Sequence, residues 1–296
     1  MADKRNQNLM QLVRRLHSLV ETDELRKQRQ SQDSIGSIFG NSKEVVYRRV
    51  EVEGMEGEWI SPNRPYMKEH VILYCHGGGY STGSPLYART ITSKLADSTS
   101  MDVFCFDYRL APEHPYPAAL EDAMKAWNHL MLMGYGARDV IVAGDSAGGN
   151  LALALTLKLR EEGRFLPRGL ILMSPWTDLT SSGKSFETRA ESDPVLNKDY
   201  IDRIVTAYAD GQDLQNPLIS PLFADFKGFP PTYIQVGSNE ILLSDSKRLY
   251  QRLIHDDVSA HLEVFKGMWH VFQMAPFRTA NEAMDKNAEF VFEICR

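Results

Sequence analysis

Residues 140–150 read VIVAGDSAGGN and run directly into LALALTLKL at residues 151–159. An apolar β-branched run, a small-residue turn with serine at its apex and a helix-forming stretch leaving at once predict strand, sharp turn and helix. Gly144-Asp145-Ser146-Ala147-Gly148 fits G-x-S-x-G in that context. So sharp a turn forces its serine into an unfavourable φ and requires small flanks, because strand and helix nearly touch there. Ser146 Oγ is therefore expected at the carboxyl end of a sheet beside the backbone N–H of Ala147, the mount of a nucleophile.

By chance G-x-S-x-G arises in roughly one chain in ten of this length, so alone it decides little. Upstream, HVILYC at residues 70–75 runs into His76-Gly77-Gly78-Gly79, and such a tetrad arises by chance in only a few chains per thousand, so the ordered pair is specific. Acyl transfer needs preorganised donors for a developing oxyanion, and backbone without side chains can turn its N–H groups inward. Gly78, Gly79 and Ala147 are the expected donors, with Gly77 a further candidate. Tyr80, next to the tetrad, is expected to touch substrate.

These two motifs, together with DYRLAPEHPYPAALEDA at residues 107–123 and GMWHVF at residues 267–272, resemble those of the hormone-sensitive-lipase-like esterases of the α/β-hydrolase superfamily. The resemblance covers nearly everything after about Val45. It implies an α/β-hydrolase fold with a mostly parallel eight-stranded sheet, helices on both faces and a helical cap. It also implies a Ser-acid-His triad, hydrolysis of short acyl esters and no cofactor. By the same resemblance Asp107, Arg109 and Glu113 would support the oxyanion loop.

A chain of 296 residues can bury a large core as one α/β domain. Its formal net charge of −6 argues against a nucleic-acid partner, which would require a basic stripe. Cys75, Cys105 and Cys295 follow no metal-ligand or C-x-x-C spacing, and two of them fall in apolar strand-like runs, so reduced thiols in a cytoplasm are expected. No metal site is expected. No stretch is long enough to span a bilayer, and no apolar signal-peptide core stands near Met1.

The expected architecture is a first unit of cap helices over residues 1–43 and a catalytic unit over 44–296, with a second cap insertion at about 181–218. Leu9, Leu12, Val13, Leu16, Leu19 and Val20 recur at helical spacing, predicting an amphipathic helix to about Gln30. The polar, glycine-containing SQDSIGSIFGNS at residues 31–42 reads as a flexible connection, with Ile38 and Phe39 expected over the pocket. EVVYRRVEV and GEWI predict an antiparallel sheet edge. Gly77 and Gly79 are followed by Thr82 where a dinucleotide fingerprint needs glycine, and Gly183-Lys184-Ser185 is preceded by Asp178 where a phosphate loop needs glycine, so nucleotide binding loses both candidates.

GLILMSPWTDL at residues 169–179 predicts another parallel strand, with Trp176 just past its end as a pocket wall. The triad acid must orient a histidine and stabilise its imidazolium. Glu240 follows the strand YIQVG and is favoured, while Asp245 reads as a first-turn acid of the next helix and stays as the alternative. His270, on the loop after AHLEVF and, with Trp269, opening a predicted final helix, is the expected base, giving the chain order serine, acid, histidine. The same AHLEVF strand is expected to be a sheet edge on which a second copy could pair. The substrate expected is a small-molecule ester.

Overall fold

The computed structural model describes residues 10–15, 24–40 and 42–296. Eight strands form one sheet in the order β1-β2-β4-β3-β5-β6-β7-β8. β1 (Val45–Val52) pairs antiparallel with β2 (Met55–Pro62), and β2 antiparallel with β4 (Met101–Phe106). From β4 onward every pairing is parallel, through β3 (Met67–Cys75), β5 (Val140–Asp145), β6 (Gly169–Met173), β7 (Thr232–Gly237) and β8 (Ala260–Phe265). The α/β fold and antiparallel edge read from the sequence are therefore the observed ones.

Polarity explains the order. β4, β5 and β6 are buried at every residue, as apolar strands covered on both faces must be. β1, buried only at its end residues Val45 and Val52, closes one edge. β8, mostly half-buried, closes the other.

Helices cover the two faces. Trp127 of α3 (Ala118–Leu132), Leu151 and Leu155 of α4 (Ala147–Glu161) and Leu249 of α6 (Leu243–His255) share one core with Val71, Val142 and Leu172. Ile91 and Leu95 of α2 (Pro85–Thr99) pack with Met284 and Val291 of α7 (Arg278–Ile294) against Ile72, Ile141 and Ile171 on the other face. Adjacent strand residues point to opposite faces, so the pair Ile141 and Val142 serves both cores. Removing such side chains from water contributes about 1.5–3 kcal/mol each, and it fixes the strand register that sets the loops at the carboxyl ends side by side. α2 begins cleanly because Ser84 Oγ accepts from Tyr87 N–H and Pro85 occupies the first turn.

Three expectations need correction. The stretch at 31–42 is not a flexible connection, because α1 (Leu25–Phe39) runs through most of it. Gly36, read locally as a breaker, is a contact residue: a Cβ there would lie 2.1 Å from Leu86 O. The glycine lets α1 press onto α2, and tertiary packing outweighs its low helix propensity. Ile38 is 70% exposed and covers no pocket. The side chain of Phe39 lies outside the described residues, as do Leu9, Leu16, Leu19 and Val20 of the amphipathic pattern. Residues 10–15 are helical, and Met10 and Val13 pack against the apolar cluster that contains Met268, Trp269 and Phe272. Finally, His270 does not open the last helix. A short 3₁₀ turn (Phe272–Met274) follows it, and α7 begins only at Arg278.

The stretch expected as a helical insertion holds one substantial helix, α5 (Lys198–Ala209), started by Asn197, whose side chain accepts from Tyr200 N–H. Glycines and Asx turns make most of the remainder irregular. Among the described residues no helix is long and apolar enough to cross a membrane.

Candidate active site

Register brings the carboxyl ends of the central strands level: Cys75 lies beside Gly144, Asp145 beside Met173, and Gly237 beside Phe265. The loops leaving those ends meet at Ser146. Its backbone is held at φ 53°, ψ −121°, a region non-glycine residues occupy only when the surroundings over-determine it. Here Ser146 N–H donates to Met173 O at 2.9 Å, and Ser146 O accepts from Gly149, Asn150 and Trp176 N–H. A Cβ on Gly148 would fall 2.0 Å from Cys75 O, so the small flank is a requirement of strand and helix contact.

His270 Nε2 stands 2.9 Å from Ser146 Oγ and His270 Nδ1 stands 2.8 Å from Glu240 Oε2. Since a carboxylate only accepts, the proton belongs on Nδ1, which leaves the Nε2 lone pair facing the hydroxyl. Glu240 is fully buried. Its Oε1 accepts from Ser174 Oγ at 2.8 Å and from Gly237 N–H at 2.5 Å. Ser174 Oγ in turn accepts from Val271 N–H at 3.2 Å. One hydroxyl thus ties the acid to the residue after the histidine. Burial opposes a charged imidazole, but the hydrogen bond and charge of Glu240, joined by the carboxylates of Asp193 and Asp145, outweigh it and hold the His270 pKa above 6.5.

The oxyanion loop is anchored at its start by Asp145, whose Oδ1 accepts from Tyr74 OH at 2.6 Å and Gly77 N–H at 2.9 Å. Gly77 is thereby corrected: its amide is committed to a buried carboxylate and points away from any incoming carbonyl. Gly78 at φ 113° and Gly79 at φ 62° turn the chain, while Gly78 O accepts from Ser81 and Thr82 N–H. The amides of Gly78 and Gly79 donate to nothing among the described residues, and Ala147 N–H is a first-turn amide of α4 with no preceding turn to bond. Tyr108 OH donates to His76 O, and its ring stacks on the His76 imidazole at 4.0 Å. Burial drives the His76 pKa down to about 4, so that ring is neutral.

Tyr80 and Trp176 are both buried. Tyr80 stacks on Tyr208 at 3.7 Å and donates its hydroxyl to Asn150 Oδ1, which makes it a brace between the oxyanion loop and α4. Trp176 N–H donates to Ser146 O, and Trp176 O accepts from Asn150 Nδ2. Asp245, the alternative acid, accepts from Thr177 and Asp178 N–H through Oδ2 and is spent on that turn. Burial first, and the Asp178 charge second, push its pKa up to about 8.

Of the three residues expected to support the oxyanion loop, only Glu113 does so, and indirectly. It pairs through both oxygens with Arg29 of α1, which donates to Ser81 O and Ala111 O. Arg109 is a correction: it binds Asp122 and Glu121 of α3. Asp107 donates its N–H to Glu56 O, and its side chain has no hydrogen bond among the described residues.

Sequence reasoning missed Ser174, Arg29 and Asp193. Asp193 accepts from Val195, Leu196 and Ile241 N–H, binding the stretch before α5 to the acid loop. The one available signal was position: Ser174 directly follows the apolar run of the strand beside the nucleophile strand. Among the described residues no three His, Cys, Asp or Glu side chains are placed to hold a metal ion.

Comparison with known proteins bears on this geometry. The family described as the alpha/beta hydrolase fold matches residues 72–274. An esterase of Acinetobacter venetianus is 39% identical over 262 residues, covering 87% of this chain and 86% of that protein. An acetyl-hydrolase of Streptomyces hygroscopicus is 36% identical over 266 residues, covering 89% and 88%. The crystal structure of an esterase from the bacterial hormone-sensitive lipase family superposes with a TM-score of 0.91 at 36% identity, covering 96% of each chain.

Proposed function

The chain belongs to the α/β-hydrolase family and is a hormone-sensitive-lipase-like carboxylic ester hydrolase, and from that premise we propose that it cleaves short-chain acyl esters with Ser146, His270 and Glu240 as its triad. The observation that carries this reading is the unbroken chain of contacts from Ser146 Oγ through His270 to Glu240, at 2.9 and 2.8 Å. His270 Nε2 takes the Ser146 proton as Oγ attacks the ester carbonyl, then gives it to the departing alcohol. Glu240 holds the Nδ1–H tautomer and stabilises the imidazolium. The uncommitted amides of Gly78, Gly79 and Ala147 receive the oxyanion. Water then repeats the sequence on the acyl-enzyme.

Two observations support a short acyl group. α5 lies directly on the oxyanion loop, with Ile204 Cδ1 2.6 Å from where a Gly79 Cβ would be, and one relative is named for acetyl hydrolysis. The helices before residue 44 and the stretch 181–218 act as the cap over this edge. We place the enzyme in the cytoplasm, with the open β8 edge as the surface for a second copy. Ser146→Ala is expected to lower p-nitrophenyl butyrate hydrolysis by about four orders of magnitude or more, while a fluorophosphonate labels only the native protein, at Ser146 by peptide mass. Turnover surviving in the folded mutant overturns the assignment.

A further inference from the structure

Between α1 and α5, against the oxyanion loop, lies a cavity of about 190 Å³. Leu25, Ile204 and Ala207 make its apolar side, while Gln28, Ser81 and Arg203 bring polar groups to it. Ser81, 5% exposed, has a hydroxyl with no hydrogen-bond partner among the described residues. Gln28, 9% exposed, makes no side-chain hydrogen bond among the described residues. A buried polar group without a partner costs free energy unless something else satisfies it. Arg203, at the exposed rim, has no ion pair among the described residues, and Asp199, one turn earlier, does not reach it. The nearby carboxylates are taken: Glu113 by Arg29, Asp202 by Lys198 and Glu24 by Lys27.

Ile204, which lines the cavity, also presses on Gly79, so the cavity stands one side chain away from a candidate oxyanion donor. We infer that it is a substrate subsite for a carboxylate carried on a short apolar spacer. The spacer lies along Leu25, Ile204 and Ala207, and Arg203, Ser81 and Gln28 donate to the anion. A guanidinium with two neutral donors matches a carboxylate's four acceptor sites, and the cavity's size limits the spacer to a few carbons. This inference rests on Ser146 being the nucleophile.

The test compares esters matched except for charge. On the acyl side, monoethyl glutarate is set against ethyl pentanoate, and on the alcohol side, butyryloxyacetate against ethyl butyrate. Alcohol or acid release gives kcat/KM for each. In one pair the charged-to-neutral ratio is expected to fall about ten-fold in Arg203→Gln and about three-fold in Ser81→Ala, with Arg203→Lys retaining part of it and added salt lowering it in the native enzyme. The pair that responds tells whether acyl or alcohol enters the cavity. Ratios unmoved in both pairs, or no turnover of either charged ester, overturn the subsite. Turnover surviving Ser146→Ala overturns the reading beneath it, and the two failures are distinguishable.

Discussion

The carboxyl edge of the sheet and the helical layer lying over it are built on opposite terms. At the edge the buried carboxylates are held by donors: Asp145 by Tyr74 and Gly77, Glu240 by His270, Ser174 and Gly237, and one oxygen of Asp245 by Thr177 and Asp178. Over it, Ser81, Gln28 and Arg203 line a cavity, and among the described residues the Ser81 hydroxyl has no partner. Fixed groups suit a reaction whose transition state must meet preorganised donors, whereas open groups suit the choice of what enters.

The largest effect should come from breaking the edge. His270→Ala is expected to lower kcat/KM about 10⁴-fold, and Glu240→Gln about 10²- to 10⁴-fold, since the amide cannot stabilise the imidazolium. Asp245→Asn, five residues from Glu240, should leave kcat/KM within about three-fold. Its signature is in stability. Asp245 is held protonated up to about pH 8 in the fold but ionises near 3.9 when unfolded. Native stability from this group is therefore greatest below pH 4 and is lost progressively as pH rises towards 8. The Tm advantage of Asp245→Asn over the native chain should widen across that window in calorimetry. A large activity loss with no such trend would reverse the roles of the two acids.

The next effect concerns the histidine's proton. Only neutral His270 can accept from Ser146, and its pKa is raised above 6.5, so kcat/KM should fall as pH drops through a limb lying above that value. Ser174→Ala removes a donor from Glu240. It should lower kcat about ten-fold and move the limb upward, because a less solvated carboxylate holds the imidazolium more tightly. A limb that stays in place would reduce Ser174 to packing. The smallest change in chemistry belongs to the covering layer. Gly36→Ala sets a methyl against Leu86 O, and overpacking of this kind costs about 1–3 kcal/mol. Tm should fall, while hydrolysis of a short neutral ester changes by only about two- or three-fold.

How much was legible follows the same division. Ser146 and the oxyanion glycines each follow the end of an apolar strand, a local pattern, and His270 lies on the loop after β8. Glu240 was legible by the same rule, since it follows YIQVG. Gly77 was misread because the competitor for its amide, Asp145, is 68 residues away. Arg109 was misassigned because its partners lie on α3, where a charged helix face shows only helical spacing.

The amino-acid sequence alone determined the α/β order of elements, the antiparallel edge and the loops that carry Ser146, Glu240 and His270. Each of these depends on periodicity and turn chemistry within a dozen residues. Only the tertiary structure decided that Gly36 joins two helices, that Ser174 holds Glu240 and the residue after His270 together, and that Arg203 stands at the rim of a cavity with no ion pair among the described residues. Those outcomes are set by which groups meet across some fifty residues of chain or more, and partners at that separation leave no periodic trace in the sequence.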